Sequence, residues 1–366
     1  MIDPHVHLRD WEQSYKETIE HGLETAYRAG LDAVFEMPNT SPPITSIDLI
    51  IQRIADKDCA MDKLKSKYPN FNMGYGLFAG VTANPVKIKE IVEAYNELDE
   101  VVGLKMFAGR STGDLEIIEE DKQRLVYDTL ADLDYRGVIA VHCEKEAFMK
   151  PKLWNPDEPY THTLARPAES EDKSVQDQIM FAQEAGFKGT LHICHVSVPK
   201  SLERIEKMRD YVSFKMTCGI TPHHAMMYDE MMKEVNGLFR KMNPPLRLKW
   251  MQEEMLQALI DGRIPWVESD HAYHTRKEKL GKALDSNGKP IYASGVPVFH
   301  YYPRFIKFLR EKGMTEKQID NITHNNIEKA FGIKIKNTRR AGKQTDEELE
   351  ALSKEYEFDA FKKIMA

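Results

Sequence analysis

The chain has 366 residues, a formal net charge of −7 at pH 7 and a pI near 6.0. Hydrophobic residues make up 42% of it and charged residues 30%, a composition typical of a folded protein and not of a disordered one. The negative charge argues against nucleic acid and against an anionic membrane surface as partners. No apolar run approaches the roughly 20 residues of a membrane helix, and the first residues do not resemble a signal peptide. Four cysteines without Cys-x-x-Cys spacing fit reduced thiols, so we expect a cytoplasmic protein.

Short apolar runs alternate with longer amphipathic segments along most of the chain. Eight strands separated by helices are the pattern of a closed (β/α)₈ barrel of the α/β class. The predicted strands are 2–7, 33–37, 73–80, 102–107, 138–142, 190–195, 212–217 and 266–269. The predicted helices include 15–29, 85–98, 119–135, 173–185, 200–210 and 248–261.

The chain after the last predicted strand differs in character from the alternating strands and helices before it. Residues 271–303 form a long irregular segment after the last strand, and loops of this length are commonly functional. Thr315-Glu316-Lys317-Gln318 is typical of a capping box that begins a helix. Residues 334–366 are basic at first and then acidic and amphipathic. We therefore predict a barrel over residues 1–333 and a helical extension packed outside it over 334–366, with a partner-binding tail as the alternative.

The first predicted strand carries two histidines, His5 and His7, which point to the same face because side chains alternate along a strand. Two imidazoles on one face can bind one metal ion, and Arg9 continues the same face. Taken alone, a His-x-His motif is weak evidence, and two incidental histidines would be equally compatible with it.

Further ligand-type residues recur where the predicted strands end, and in a barrel these ends meet on the face that carries active sites. They are Lys105, His142, His195 and Asp270. Each has another interpretation when taken singly. His142 or His195 could be a hydrogen-bonded core histidine, with His192 as a second candidate beside His195, and Asp270 could cap a helix. Their coincidence on one rim favours a metal site.

Lys105 lies in an apolar run, 101–107, which would be buried on both faces of a parallel sheet. Lysine is almost never fully buried without a partner. An ammonium group would be repelled by two metal ions, whereas a carbamate formed with carbon dioxide would be an anionic ligand able to bridge them. The alternative is a free amine that reaches the rim and binds an anion.

Seven short motifs stand out along the chain: Asp3-Pro4-His5-Val6-His7-Leu8-Arg9, Met37-Pro38-Asn39-Thr40, Gly103-Leu104-Lys105, Val141-His142-Cys143-Glu144, Cys194-His195-Val196-Ser197, Asn243-Pro244-Pro245-Leu246-Arg247 and Ser269-Asp270-His271-Ala272. Together they resemble the dihydroorotases of the amidohydrolase superfamily, from residue 2 to about residue 333. The His-x-His pair and the final aspartate are shared across the superfamily. Arg9, Asn39 and the Asn-Pro-Pro-Leu-Arg motif are more specific to dihydroorotases.

The resemblance implies a barrel of the metal-dependent amidohydrolase type, with little or no N-terminal β side domain because the chain begins at the barrel. It also implies two divalent metal ions per chain, which we expect to be Zn²⁺. The ligands would be His5, His7 and Asp270 for one ion, His142 and His195 for the other, and carbamylated Lys105 bridging the two.

The resemblance further implies how substrate is bound. Arg9, Asn39 and His274 would bind its carboxylate, since arginine forms charge-assisted bonds to carboxylates. Asn243 and the backbone from Gly295 to Pro297 would meet the pyrimidine ring. In this region the chain departs from the family, which usually has proline at the position of Tyr273.

The implied activity is the reversible cyclisation of N-carbamoyl-L-aspartate to (S)-dihydroorotate in de novo pyrimidine biosynthesis. A hydroxide bridging the metals would attack the ring amide carbon, and Asp270 would act first as general base and then as general acid.

Two alternatives stay open at this point. Another cyclic amidase, a hydantoinase or allantoinase, would share the metal ligands but would not need Arg9 and Asn39 for a carboxylate. A non-catalytic dihydroorotase-like subunit would be expected to have lost ligands. The expected partner is a small-molecule substrate, and the sequence leaves a homodimer open.

Overall fold

The computed structural model describes residues 1–111, 115–338, 340, 342–362 and 364. The strands in this part of the chain are β1 (Ile2–His7), β2 (Ala33–Glu36), β3 (Gly74–Gly80), β4 (Val101–Ala108), β5 (Val138–Cys143), β6 (Thr190–Ile193), β7 (Lys215–Ile220), β8 (Trp266–Val267) and β9 (His271–Ala272). They form one parallel sheet in the order β8-β7-β6-β5-β4-β3-β2-β1-β9.

The last two strands are two pieces of one interrupted barrel strand. β8 pairs with β7, and β9 pairs with β1. Between these pieces, the amide of Glu268 donates to Ile220 O and the amide of Asp270 donates to His5 O, each at 3.0 Å. The sheet therefore closes on itself, and the predicted (β/α)₈ barrel is confirmed.

Helices follow the strands and cover the outside of the sheet. None of the helices in the described residues combines the length and the hydropathy that a bilayer span requires. They are α1 (Ile19–Arg28), α2 (Ile47–Lys67), α3 (Pro85–Glu97), α4 (Glu120–Asp132), α5 (Thr161–Ala165), α6 (Ala168–Glu184), α7 (Pro199–Met208), α8 (Pro222–Met226), α9 (Lys249–Ile260), α10 (Arg276–Lys279), α11 (Tyr302–Glu311), α12 (Glu316–Asp320), α13 (Asn326–Phe331) and α14 (Asp346–Ser353).

Most strand residues are buried on both faces, as expected when helices cover one face of a sheet and the barrel interior is filled. Every residue of β4 is buried. Lys105 and Phe107 share one face of β4 and pair in register with Ala140 and His142 of β5. This face points into the barrel, so the lysine and the histidine enter the same interior.

The start of β7 and the presence of the helix α2 differ from the predictions for physical reasons. β7 begins at Lys215, three residues later than predicted, because Thr190 pairs with Lys215 and Ser213 is held by a hydrogen bond to Gln183. The long helix α2 is missing from the predicted helices. Its buried positions include Arg53 and Lys57, so its inner face is not an apolar stripe.

The predicted capping box is present at Thr315, at the start of α12.

The segment that follows α13 returns along the outside of the barrel. After α14, Tyr356 and Phe361 are buried, and the ring of Phe361 stacks on Tyr301 at 3.8 Å. Tyr273, which follows β9, packs against Tyr356 at 5.1 Å between ring centroids. Aromatic contacts thus join the C-terminal segment to the loop that begins at β9.

Candidate metal centre and substrate cavity

A cavity opens at the carboxyl ends of the barrel strands, where side chains from many strands meet. Most of the residues predicted from the sequence to form the site line it. The lining residues are His5, His7, Arg9, Asn39, Lys105, Phe107, Ser111, His142, His195, Asn243, Asp270, Ala272, Ser294 and Gly295.

One cluster at the base of the cavity joins β1 to the interrupted strand. The ligand atoms of His5, His7 and Asp270 all lie within 4.8 Å of one another. Nε2 of His7 is 2.9 Å and Nε2 of His5 is 3.4 Å from the same Asp270 oxygen. Burial acts to raise the pKa of Asp270, but the two histidines outweigh it and hold the pKa well below its usual range. Asp270 is therefore a carboxylate.

The orientation of His7 is set by Asn39, whose Oδ1 lies 2.6 Å from Nδ1 of the imidazole. Burial lowers the pKa of His7 to about 4, so the ring is neutral near pH 7. When Nδ1 donates its proton to Asn39, Nε2 presents a lone pair to the Asp270 carboxylate. Two acceptors at 2.9 Å repel each other unless a proton or a cation lies between them.

The second cluster joins β5 to the end of β6. Nδ1 of His142 is 3.2 Å from Nε2 of His195, and Nε2 of His142 is 3.0 Å from Glu144. Arg166 pairs with Glu144 in turn. This carboxylate fixes which nitrogen of His142 carries the proton, so its other nitrogen faces the cavity with a lone pair. Burial lowers the pKa of His195 well below its usual value.

Lys105 lies between the two clusters and is completely buried. Its Nζ is 3.0 Å from Sγ of Cys194, and no carboxylate lies within 4.0 Å of it in the described residues. Burial acts to raise the pKa of the Cys194 thiol, but the charges of Lys105 and His5 outweigh it and lower the pKa to about 5. An unmodified Lys105 thus has a thiolate as its counter-charge.

Three site residues have backbone conformations that side chains usually avoid. The φ angles of Arg9, His195 and Asp270 are 55°, 39° and 50°. Each stands where its strand has ended, and left-handed conformations of non-glycine residues at such places store strain at functional sites. All three side chains line the cavity.

Arg9 is 2% exposed and lies at the wall of the cavity beside His274. Its Nη2 is 3.1 Å from Nε2 of His274, whereas its Nε and Nη1 atoms have no hydrogen-bond partner within the described residues. Burying a guanidinium group with unsatisfied donors costs free energy. An anion in the cavity would satisfy them.

The opposite wall is formed by the loop after β7 and the loop after β9. Oδ1 of Asn243 accepts from the hydroxyl of Ser294 at 3.2 Å and lies 3.0 Å from Nε2 of His162. Gly295 lines the cavity next to Ser294. In the described part of the chain, His274 and Pro297 are the two predicted site residues that do not line it, His274 because it lies behind Arg9.

The donor set fits two divalent metal ions. The first cluster offers two imidazoles and a carboxylate, and the second offers two imidazoles with lone pairs that face the same cavity. Nδ1 of His195 has no hydrogen-bond partner in the residues described, although it is buried. Neutral imidazoles and carboxylates are the ligands that zinc and similar metals prefer.

Comparison with known proteins gives relatives that cover most of the chain. It is 31% identical to the dihydroorotase of Methanosarcina acetivorans over 346 residues, which is 91% of this chain and 68% of that protein. It is 30% identical to the dihydroorotase of Methanosarcina mazei over 348 residues, 91% of this chain and 70% of that protein. The chain belongs to the dihydroorotase family. No family model matches it.

Solved structures confirm the fold of this dihydroorotase family member. An L-hydantoinase from Arthrobacter aurescens superimposes with a TM-score of 0.75 at 20% identity, covering 90% of this chain and 70% of that one. A dihydroorotase from Campylobacter jejuni gives a TM-score of 0.63 at 18% identity, covering 92% and 84%. Both structures support the closed parallel barrel.

One polar residue behind the cavity of this dihydroorotase relative, Glu268, was not predicted from the sequence. Glu268 is fully buried, and its carboxylate accepts from Trp266 Nε1 at 3.1 Å and from the backbone amide of His195. The Glu268 carboxylate also lies 2.9 Å from Nε2 of His192. His192, the second candidate beside His195, is therefore a buried histidine paired with Glu268. A signal was available, since a glutamate directly after the apolar pair Trp266–Val267 in a buried strand needs a partner.

Proposed function

We propose that the protein is a dihydroorotase that interconverts N-carbamoyl-L-aspartate and (S)-dihydroorotate. The observation that carries this proposal is Arg9, a buried guanidinium with two unpartnered nitrogens on the wall of a cavity whose base holds His5, His7 and Asp270. Arginine binds carboxylates through paired charge-assisted hydrogen bonds. The cavity therefore suits a substrate that carries both a carboxylate and a hydrolysable amide, and family membership agrees with this.

We further propose two zinc ions per chain, with Lys105 carbamylated between them. His5, His7 and Asp270 would hold one ion, and His142 and His195 the other. When bound, such ions supply Lewis-acid polarisation of a carbonyl and lower the pKa of water. The burial of Lys105 without a carboxylate partner supports its conversion to an anion, because a free ammonium beside metal ions would be repelled.

The residues of this chain have distinct roles in the hydrolytic direction. Arg9 and Asn39 bind the substrate carboxylate, while Asn243 and the backbone at Gly295 bind the ring amides. Water adds to the ring amide carbon, and Asp270 takes the proton that the water loses. Asp270 then returns this proton to the ring nitrogen as the carbon–nitrogen bond breaks. Ring closure is the reverse of these steps.

The proposed reaction places the protein in de novo pyrimidine biosynthesis, and its reduced-thiol composition supports a cytoplasmic location. The alternative function is that of a hydantoinase, since hydantoinases share the barrel. Hydantoin lacks the carboxylate that Arg9 would bind, so substrate preference separates the two functions.

The test is an assay of the metal-loaded protein with dihydroorotate, N-carbamoyl-L-aspartate, hydantoin and allantoin. We expect interconversion of the first pair and at least about a hundredfold lower kcat/KM for the other two, the equivalent of losing one charged contact. Preference for hydantoin or allantoin would contradict the proposal. Absence of turnover in protein that holds two metals would indicate a non-catalytic subunit.

A further inference from the structure

Two buried lysines lie behind the wall of the cavity that Asn243 and Gly295 form. Lys279, at the end of α10, is fully buried, and Lys241, which precedes the Asn-Pro-Pro motif, is 8% exposed. Nζ of Lys279 donates to the carbonyl oxygens of Lys241 at 2.7 Å and of Gly295 at 2.9 Å. Nζ of Lys241 donates to Tyr292 O at 2.8 Å and to Ser294 Oγ at 2.6 Å.

These contacts join two loops that are far apart in the sequence. The loop after β7 contributes Lys241 and Asn243, and the loop after β9 contributes Ser294 and Gly295. The amide of Gly295 donates to Lys241 O at 3.0 Å, and the hydroxyl of Ser294 donates to Asn243 Oδ1 at 3.2 Å. We name Asn243, Ser294 and Gly295 the ring edge, since all three line the cavity.

Neither lysine makes an ion pair with a carboxylate in the part of the chain that the structure describes. All of their acceptors are neutral carbonyl or hydroxyl groups. Burying an amine in this way is costly compared with an apolar side chain of similar size. The hydrogen bonds of the two amines offset part of this cost, and they end on residues of the ring edge and on the backbone beside it.

The backbone of the ring edge is confined at Gly295 by close packing on one side and by these donors on the other. Gly295 has a φ of 132°, and a Cβ on it would lie 2.8 Å from both the Cβ and the carbonyl oxygen of Ala272. The Gly295 peptide therefore lies close to Ala272 of β9 on one side and is hydrogen-bonded to Lys241 and Lys279 on the other. Within the described residues, neither lysine side chain makes a hydrogen bond to the side chains of the two metal-binding clusters.

We propose that Lys279 and Lys241 are positioning residues that fix the ring edge for recognition of the ring amides, independently of the metal centre. The inference rests on the proposed function, because it assigns the ring edge to a cyclic amide substrate. It predicts that loss of either amine weakens substrate binding and leaves the chemical step largely intact.

The test compares Lys279→Met with Lys277→Met, a matched control on the exposed side of the same helix. For Lys279→Met we expect a rise of about tenfold in KM for dihydroorotate, the equivalent of one lost hydrogen bond, with kcat changed less than about twofold. Hydrogen exchange of the Gly295 amide should accelerate, and metal content should stay at the wild-type value. Lys277→Met should match the wild type in all three measurements.

Lys241 provides a second, independent variant if Lys279→Met does not fold. Lys241 borders a cavity beside Trp154, so Lys241→Arg keeps donors there and Lys241→Met removes them. We expect Lys241→Arg to recover much of the KM that Lys241→Met loses. Equal KM values for the two variants, an unchanged exchange rate at Gly295, or a loss of kcat together with metal would each overturn the inference.

The two proposals fail in different ways. If the wild type does not turn over dihydroorotate, the proposed function is wrong. Exchange at Gly295 is measured without substrate, and an acceleration in Lys279→Met would still support the positioning of the ring edge.

Discussion

Arg9 and His274 are in direct contact inside the protein, with Nη2 of the guanidinium 3.1 Å from Nε2 of the imidazole. Burial and the nearby Arg9 charge lower the pKa of His274 well below its usual value, so the ring is neutral and accepts the hydrogen bond. This contact occupies one nitrogen of Arg9 and leaves Nε and Nη1 for a ligand. In the proposed function, His274 would therefore contribute to carboxylate binding by orienting Arg9.

Arg9→Met should weaken binding of carboxylated substrate without removing the metals. We expect kcat/KM for dihydroorotate to fall by roughly 30-fold or more, because a buried carboxylate without its partner costs about 2 kcal/mol or more. Steady-state kinetics and elemental analysis measure the two effects, with the exposed Arg136→Met as control. Wild-type turnover of dihydroorotate by Arg9→Met would move the protein toward the broader class of cyclic amidases.

Replacing a histidine of the second cluster should remove one metal and not both. For His142→Ala or His195→Ala we expect about one metal ion per chain and at least about a hundredfold loss of kcat. His21→Gln, on the outer helix α1, is the control and should keep both ions. Two ions per chain in His142→Ala, together with normal turnover, would show that His142 is not a ligand.

Lys105→Ala should lose the bridging ligand and much of the bound metal. A small carboxylic acid such as propionic acid should then restore part of the activity, because its carboxylate can occupy the place of the carbamate. In the wild type, loading with ¹³C-labelled carbon dioxide should give a carbamate signal in the NMR spectrum. Two fully occupied metals beside an unmodified lysine would be incompatible with this account.

The buried pair of Arg53 and Glu36 should be important for stability. Both side chains are fully buried, with Nε of Arg53 2.9 Å from Glu36, and Nη2 of Arg53 donates to the carbonyl of Arg9 at 3.3 Å. Arg53→Met leaves the Glu36 charge without this partner and should lower the free energy of unfolding by about 3 kcal/mol. Chemical denaturation measures this, and adding Glu36→Gln should recover part of the loss. No recovery would mean that the pair does not act as a unit.

Lys241 should make stability depend on pH above neutrality. Burial lowers its pKa to about 7, whereas the unfolded chain has the ordinary value near 10.4. Between these two pKa values the unfolded state binds more protons than the folded state, so stability rises with pH. The free-energy cost of burying the charged amine has its full value only below the pKa of the folded state. From about pH 7.5 to about pH 9 the wild type should gain about 2 kcal/mol relative to Lys241→Met. Parallel stability curves for the two proteins would exclude this titration.

The sequence determined the fold and the location of the candidate site because both follow from local patterns. Apolar runs separated by amphipathic helices predict a parallel barrel, and the carboxyl ends of its strands necessarily meet on one face. His5 and His7 share a face through the two-residue period of a strand. Lys105 was noticeable because a charged residue interrupts a buried apolar run.

Only the tertiary structure decided the contacts that join distant segments. Cys194 beside Lys105, Glu268 beside His192, and Lys279 bonded to Gly295 have no periodic signature, since each pair is set by how strands align and loops fold back. The start of β7 likewise depends on its register with β6 and not on its own apolar residues. Local side-chain patterns specify which elements form, whereas the closing of the barrel specifies which buried polar groups become partners.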